Sequence, residues 1–179
     1  MEAALALFAE HGFDATTVDR IAEEAGVSRR SFFRYFPTKE AAFFSGQRRR
    51  LGVFRSLVAS PLPGESALET VRRAILALAA VYTADREERL LQHRVIQGSK
   101  HLMAADLQVD AEWEAEIAQA LRRGGCGAMP PETAAIAAGA LMGMIRALLC
   151  EWYESEGRGD LVGRGVEAFA LFARGFGPS

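Results

Sequence analysis

The chain has 179 residues, half of them apolar and a quarter charged, a balance that excludes a disordered polyelectrolyte and fits a folded globular protein. No uninterrupted apolar run approaches the roughly 18 residues that a bilayer span needs, and the opening MEAALALFAEHGF has neither the basic stretch nor the cleavage site of a secretory signal, so a cytoplasmic protein with no membrane partner is expected. The net charge of −2 is unevenly spread: between residues 28 and 50, Arg29, Arg30, Arg34, Lys39, Arg48, Arg49 and Arg50 face only Glu40, which marks either a local polyanion site or a solvated charged face.

Strand signals are nearly absent and apolar residues recur at three- and four-residue spacing, which predicts an all-α chain. The first helix places Ala4, Leu5, Phe8 and Ala9 on one face and ends at Gly12. Thr16 or Thr17 caps a second helix that runs to about Ala25, where Gly26 supplies a left-handed turn. Ser28 caps a short third helix through Tyr35, and Pro37, lacking an N–H, breaks the chain. A long helix from Thr38 towards Val58 follows, then a turn at Pro61, Pro63 and Gly64. Beyond it the pattern is a helical bundle over about 66–82, 85–97, 99–107, 110–123, 132–155 and 160–174. It is punctuated at Gly98, at Gly124-Gly125 with Pro130-Pro131, and at Gly157 to Gly159.

The span from Val18 to Tyr35 meets the steric demands of a helix-turn-helix. Ala22 is small where two backbones must approach, Gly26 tolerates a positive φ in the turn, and Ile21, Val27 and Phe32 lock the crossing angle. A recognition helix in the major groove presents its N-terminal residues to base edges. Arg29 and Arg30 are therefore the base readers, forking onto O6 and N7 of guanine. Phe33 either meets a thymine methyl or belongs to the core, whereas Phe32 and Phe36 are assigned to the core. Thr17, Ser31, Arg34, Tyr35 and Lys39 suit phosphate oxygens, contacts that position a domain without specifying a sequence. Arg48, Arg49 and Arg50 read as a solvated helix face in preference to a DNA contact.

Residues 16–43, TTVDRIAEEAGVSRRSFFRYFPTKEAAF, resemble the DNA-binding domain of TetR-type transcriptional regulators. The resemblance rests on Phe8 with Gly12 and Phe13, on Thr16-Thr17, on Ile21-Ala22, on Ala25-Gly26-Val27-Ser28, and on Phe33 with Tyr35-Phe36 followed by Lys39. It implies a helix-turn-helix three-helix domain over 1–45 and a C-terminal helical bundle for ligand sensing and dimerisation over 46–179. It also implies a ligand-responsive repressor that binds a near-palindromic double-stranded DNA operator as a homodimer, with the positions of Tyr35 and Lys39 gripping the DNA backbone. Family members carry more of the first helix and a basic arm ahead of this segment, so no residue is assigned to an arm contact in the minor groove.

The resemblance further implies a small-molecule pocket in the C-terminal region. Polar groups set in apolar stretches point to it: His93, Arg94 and Gln97 in RLLQHRVIQG, and Arg146 in ALMGMIRALLCEWY. A buried unpaired charge is costly, so Arg146 pairs with a carboxylate, reaches solvent or meets an anionic ligand. Trp113 and Met142 line either a cavity or the core. The segment over 89–121 resembles the C-terminal domains of a TetR subgroup with acyl-CoA-like ligands, which implies acyl-CoA or another amphipathic effector. The last two helices form the expected dimer interface. Ala134, Ala135, Ala138, Gly139 and Gly143 allow close approach, while Ile145, Leu148, Trp152, Phe169 and Phe172 supply bulk for a four-helix bundle across a two-fold axis.

Catalytic arrangements are missing from the sequence. There is no P-loop, no Gly-rich dinucleotide fingerprint and no Ser/His/Asp or Cys/His spacing of diagnostic form. His11, His93 and His101 are too scattered for a helical metal pair, and Cys126 and Cys150 are too few for a disulfide framework. Neither an enzyme, a metal nor a cofactor is expected. The remaining alternative is a helical module whose basic segment meets an acidic protein, and preference for one duplex sequence over others separates the two.

Overall fold

The computed structural model describes residues 2–123 and 127–176, and its ten helices account for all regular structure among them. They are α1 (Glu2–His11), α2 (Val18–Glu24), α3 (Arg29–Tyr35), α4 (Lys39–Phe43), α5 (Ser45–Val58), α6 (Ala67–Ala84), α7 (Arg86–Gln97), α8 (Lys100–Arg123), α9 (Pro131–Glu154) and α10 (Leu161–Phe176). The fold is all-α, as the spacing of apolar residues predicts. Cys126 and the Gly124-Gly125 break lie outside the described residues.

Two stretches differ from the sequence expectation. The helix predicted from Thr38 to Val58 is two helices, because Ala42, Phe43 and Phe44 are all buried and one face of a straight helix cannot bury three successive residues. The break falls at Phe44, whose ring meets Phe43 edge-on at 5.0 Å. The second difference is α8, which runs unbroken where two helices were expected. Asp110, placed by sequence at a helix start, does not cap one; its carboxylate accepts from the Arg146 guanidinium at 2.9 Å.

The chain forms two compact units, one of residues up to Arg49 with Glu87–Val109, the other of Arg50–Arg86 with Asp110 onward. In the first, Phe8, Phe13 and Phe43 meet at centroid distances of 4.9 to 5.8 Å, with Ile21, Ala22, Phe32 and Phe44 also buried. The same unit includes α7 and the start of α8, which fasten to α1–α4 through polar contacts. Ser99 Oγ donates to Asp14 at 3.2 Å, His101 Nε2 lies 3.0 Å from Glu40 Oε1, and Gln92 Nε2 donates to the Phe43 carbonyl at 3.5 Å. Burial pushes the Glu40 carboxyl up, but its own backbone N–H, the Thr38 hydroxyl and His101 outweigh it and hold the group below its ordinary value. Arg89 is buried beside them, donating to Gln92 at 2.8 Å and Glu88 at 2.5 Å.

The second unit has a continuous apolar core in which Leu51, Phe54, Val71, Ile117, Leu121, Leu141 and Phe169 are all buried. Its α6 opens with a reciprocal cap: the Glu69 N–H donates to Ser66 Oγ, and the Glu69 carboxylate accepts from the Ser66 N–H at 2.8 Å. Just before it, Arg73 and the Leu62 N–H hold the Glu65 carboxyl down to about 2. Tyr82 and Tyr153 share a hydrogen bond between phenols, and Trp152 packs against both rings.

One helix bears on the sequence expectation about membranes. The 24-residue α9 is long and apolar enough to cross one by length and composition, because few charges interrupt it. Only 28 % of its most apolar stretch is buried inside the chain. Its buried side, Ala134, Ala137, Ala138, Leu141, Met142 and Trp152, belongs to the second unit.

Candidate nucleic-acid interface

The α2–α3 pair is assembled by local chemistry. Thr17, extended at φ −89°, accepts from the Arg20 N–H and caps α2; Ser28 accepts from the Ser31 N–H at 3.0 Å and caps α3. Between them Gly26 sits at φ +65°, and the next N–H, that of Val27, returns to the Ala22 carbonyl at 2.9 Å. Such a left-handed turn costs a β-carbon-bearing residue and favours glycine. Ala22, Ile21 and Phe32 are buried where the two helices meet. Val27 is not: at 44 % exposure it does not lock the angle, because the backbone bond to Ala22 already fixes the turn and leaves its side chain outside.

With the apolar side of α3 given to Phe32, most of its polar side chains are left in solvent. Arg29, Arg30, Arg34 and Tyr35 are exposed, and Phe33 is 41 % exposed, so it is not a core residue. Arg29 is held, with Nη1 donating to both oxygens of Asp19 at 3.0 and 2.8 Å and its guanidinium 5.5 Å from the Phe33 centroid. Arg34 lies over the Tyr35 ring at 4.8 Å and donates to its hydroxyl at 3.1 Å. Arg30 has neither an ion pair nor a ring contact among the described residues. Ser31 is half-buried and its hydroxyl meets that of Ser28 at 3.0 Å.

Lys39 has a structural role that sequence reasoning missed. Its Nζ donates to the carbonyls of Phe13 at 2.6 Å and Thr16 at 2.9 Å and lies 4.2 Å from the Phe13 centroid. An ammonium has three donors, so one N–H remains for a phosphate. Arg20, unassigned from sequence, donates to His11 Nε2 at 2.8 Å. The signal available for both was only their place, in the first turn of a helix.

The residues put forward for a ligand divide between the units. His93, Arg94 and Gln97 lie on α7 in the first; His93 is half-buried and burial holds its imidazole below the ordinary value, while Arg94 and Gln97 are exposed. Trp113, Met142 and Arg146 lie in the second. Met142 is in the core, Trp113 packs on it 5.6 Å from Phe54, and Arg146 is exposed and paired with Asp110. The buried arginine is Arg89 instead, which periodicity does not distinguish from a surface position. Among the residues put forward for dimerisation, Ile145, Leu148 and Phe172 are half-buried. Trp152 and Phe169 are each 2 % exposed within the single chain, so they fill its own core and cannot supply a partner-facing surface.

Residues 1–44 match the family model described as bacterial regulatory proteins of the tetR family, and residues 65–177 match that described as the MftR C-terminal domain. The chain belongs to the TetR family of transcriptional regulators. Among its relatives is a Mycobacterium tuberculosis protein named MftR, a mycofactocin biosynthesis transcriptional regulator. It is 30 % identical over 122 residues, covering 68 % of this chain and 62 % of the relative. The chain thus spans less than two thirds of the length of the curated relatives it matches first. Among solved structures, the TetR-family repressor FadR of Thermus thermophilus in complex with lauroyl-CoA shares the fold. The TM-score is 0.68 at 23 % identity over 97 % of this chain and 91 % of that one. The fatty acid degradation regulator FadR of Bacillus halodurans matches at a TM-score of 0.69 and 18 % identity, over 99 % and 96 %.

Proposed function

We propose that this TetR-family chain is a cytoplasmic, ligand-responsive repressor that binds a near-palindromic operator as a homodimer. The observation that carries the DNA-reading part is the α2–α3 pair: two capped helices set by a glycine turn, with Arg29, Arg30, Phe33, Arg34 and Tyr35 left outside. Arg29, Arg30 and Phe33 read bases, and Thr17, Ser31, Arg34, Tyr35 and the third N–H of Lys39 hold phosphates. The test is competition between a duplex selected from a random pool and unselected duplex. A regulator prefers the selected duplex by about a thousandfold or more. Equal affinity for both, falling alike with salt, points instead to a general polyanion site.

The dimer is supported by the apolar surface that α9 and α10 leave bare. Ile136 is 66 % exposed and Leu171 64 %, while Ile145, Leu148 and Phe172 are half-buried. We assign this face to a second copy rather than to a membrane, since the opposite face of α9 is already part of a packed core. Ile136→Glu or Leu171→Glu places a charge against its symmetry mate and converts the dimer to monomers in sedimentation.

The effector is proposed to be amphipathic, of the acyl-CoA class, a reading supported by the resemblance of residues 89–121 and by the fold shared with a lauroyl-CoA complex. An acidic head group would compete with Asp110 for Arg146, while the half-buried Trp113 offers apolar surface. Binding releases DNA only if the ligand prefers one state of the dimer, and linkage then requires operator to weaken ligand binding by the same factor. Titration of lauroyl-CoA with and without the selected duplex reads that factor, and equal affinities in the two titrations exclude induction.

A further inference from the structure

Arg29 is fixed in a manner that serves base reading better than stability. Its pair with Asp19 is 62 % and 63 % exposed, and exposed ion pairs of this kind add little to folding. What the pair does change is orientation. A free arginine loses rotamer freedom when it docks on a base, whereas this one is already held between a carboxylate and the Phe33 ring one turn along α3. Asp19 itself stands in the first turn of α2, where the helix N-terminus favours a negative charge.

The geometry leaves the useful edge of the guanidinium open. Both bonds to Asp19 come from Nη1, and Nη2 and Nε donate to no acceptor among the described residues. Guanine offers O6 and N7 side by side, a spacing that takes two parallel donors such as Nε–H and Nη2–H. Charge follows the same logic. Asp19 cancels Arg29, so the pair contributes little to the sequence-independent attraction that draws any cation to phosphate. Arg30 has no such partner among the described residues and brings its full charge to the duplex.

We propose that Asp19 is a positioning residue for base recognition: it holds Nη1 of Arg29 so that the Nε–Nη2 edge faces a guanine, and it suppresses binding to unselected DNA. The inference rests on the DNA-reading function proposed above. It requires two readouts to move in opposite directions when Asp19 is lost, which a charge effect alone does not produce.

The experiment selects duplexes from a random pool with the full chain and with Arg29→Ala, Asp19→Ala and Asp19→Asn. The wild-type profile is expected to contain a guanine whose preference falls about tenfold or more in Arg29→Ala. Asp19→Ala should lose preference at that same base while binding unselected duplex more tightly and with a steeper salt dependence. Asp19→Asn, which keeps an acceptor oxygen and the side-chain shape, should retain part of the preference and guards against a folding defect in the alanine variant. An Asp19→Ala profile with its base preferences intact overturns the positioning role, whether or not overall affinity rises. A wild type that selects no duplex at all overturns the DNA-reading function, and this inference falls with it.

Discussion

The α2–α3 pair and the α9–α10 pair are each two helices joined by a short connection, and they are stabilised in opposite ways. Seven-residue α2 and α3 bury only Ile21, Ala22 and Phe32 between them, too little for helices of that length to persist alone. They rely on caps at Thr17 and Ser28, on the turn at Gly26 and on the phenylalanine cluster beneath. The 24-residue α9 instead places six residues inside the second unit, against a core drawn from α5, α6, α8 and α10. A reading head built this way can keep its functional side chains in solvent, because none of them is needed to fill a core. In α9 and α10 the same apolar residue types serve the core on one side and a bare surface on the other.

Substitutions can break this contrast, and the largest effect belongs to the second unit. Phe54, fully buried there, should cost about 3–5 kcal/mol when changed to Ala, seen as a lower urea midpoint. Lys39→Ala comes next and tests whether one reading-head cation is structural. Losing two charge-assisted bonds to the Phe13 and Thr16 carbonyls should lower stability by about 2 kcal/mol and weaken DNA binding as well. Arg30→Ala should instead leave the midpoint unchanged while costing roughly 1–3 kcal/mol on the selected duplex.

Two glycines sharpen the same comparison. Gly157 at φ +70° would bring a β-carbon to 2.9 Å from Arg86 and 3.0 Å from Trp152, whereas at Gly26, φ +65°, nothing lies within 4 Å. Gly26→Ala should therefore cost only the backbone strain, about 1–2 kcal/mol, and Gly157→Ala more, as paired thermal melts would show. The smallest effect is set by pH. Glu65, held near 2 by Arg73, contributes stability that is fully present above the unfolded carboxylate value of about 4.3 and is lost as pH falls towards 2. The gap in melting temperature between wild type and Glu65→Gln should be constant near neutrality and close over that acid range.

The legibility of the sequence follows the same division. Thr17, Gly26, Ser28 and the Ser66/Glu69 cap act on neighbours within five residues, so their roles can be read along the chain. Trp152 and Phe169 could be read only as bulk, since which side of a long helix is covered depends on α6, some seventy or more residues away in sequence. The same holds for the burial of Arg89: its partners Glu88 and Gln92 are local, but its place inside the unit is not marked by the sequence around it. Lys39 was legible as a cation near the reading head; its bonds to carbonyls 23 and 26 residues back were not. The break at Phe44 was hidden because Ser45 and Gly46 beside it can also sit inside a helix, and the burial of three consecutive residues is a tertiary fact.

The proposal of a dimeric DNA reader is tested most directly by the stoichiometry and symmetry of the selected site. Footprinting on the selected duplex, with the bound mass measured in sedimentation, should show two half-sites about one helical turn apart related by a two-fold axis and occupied by two chains. A single unsymmetric site filled by one chain, or no preferred site in the pool, would contradict it.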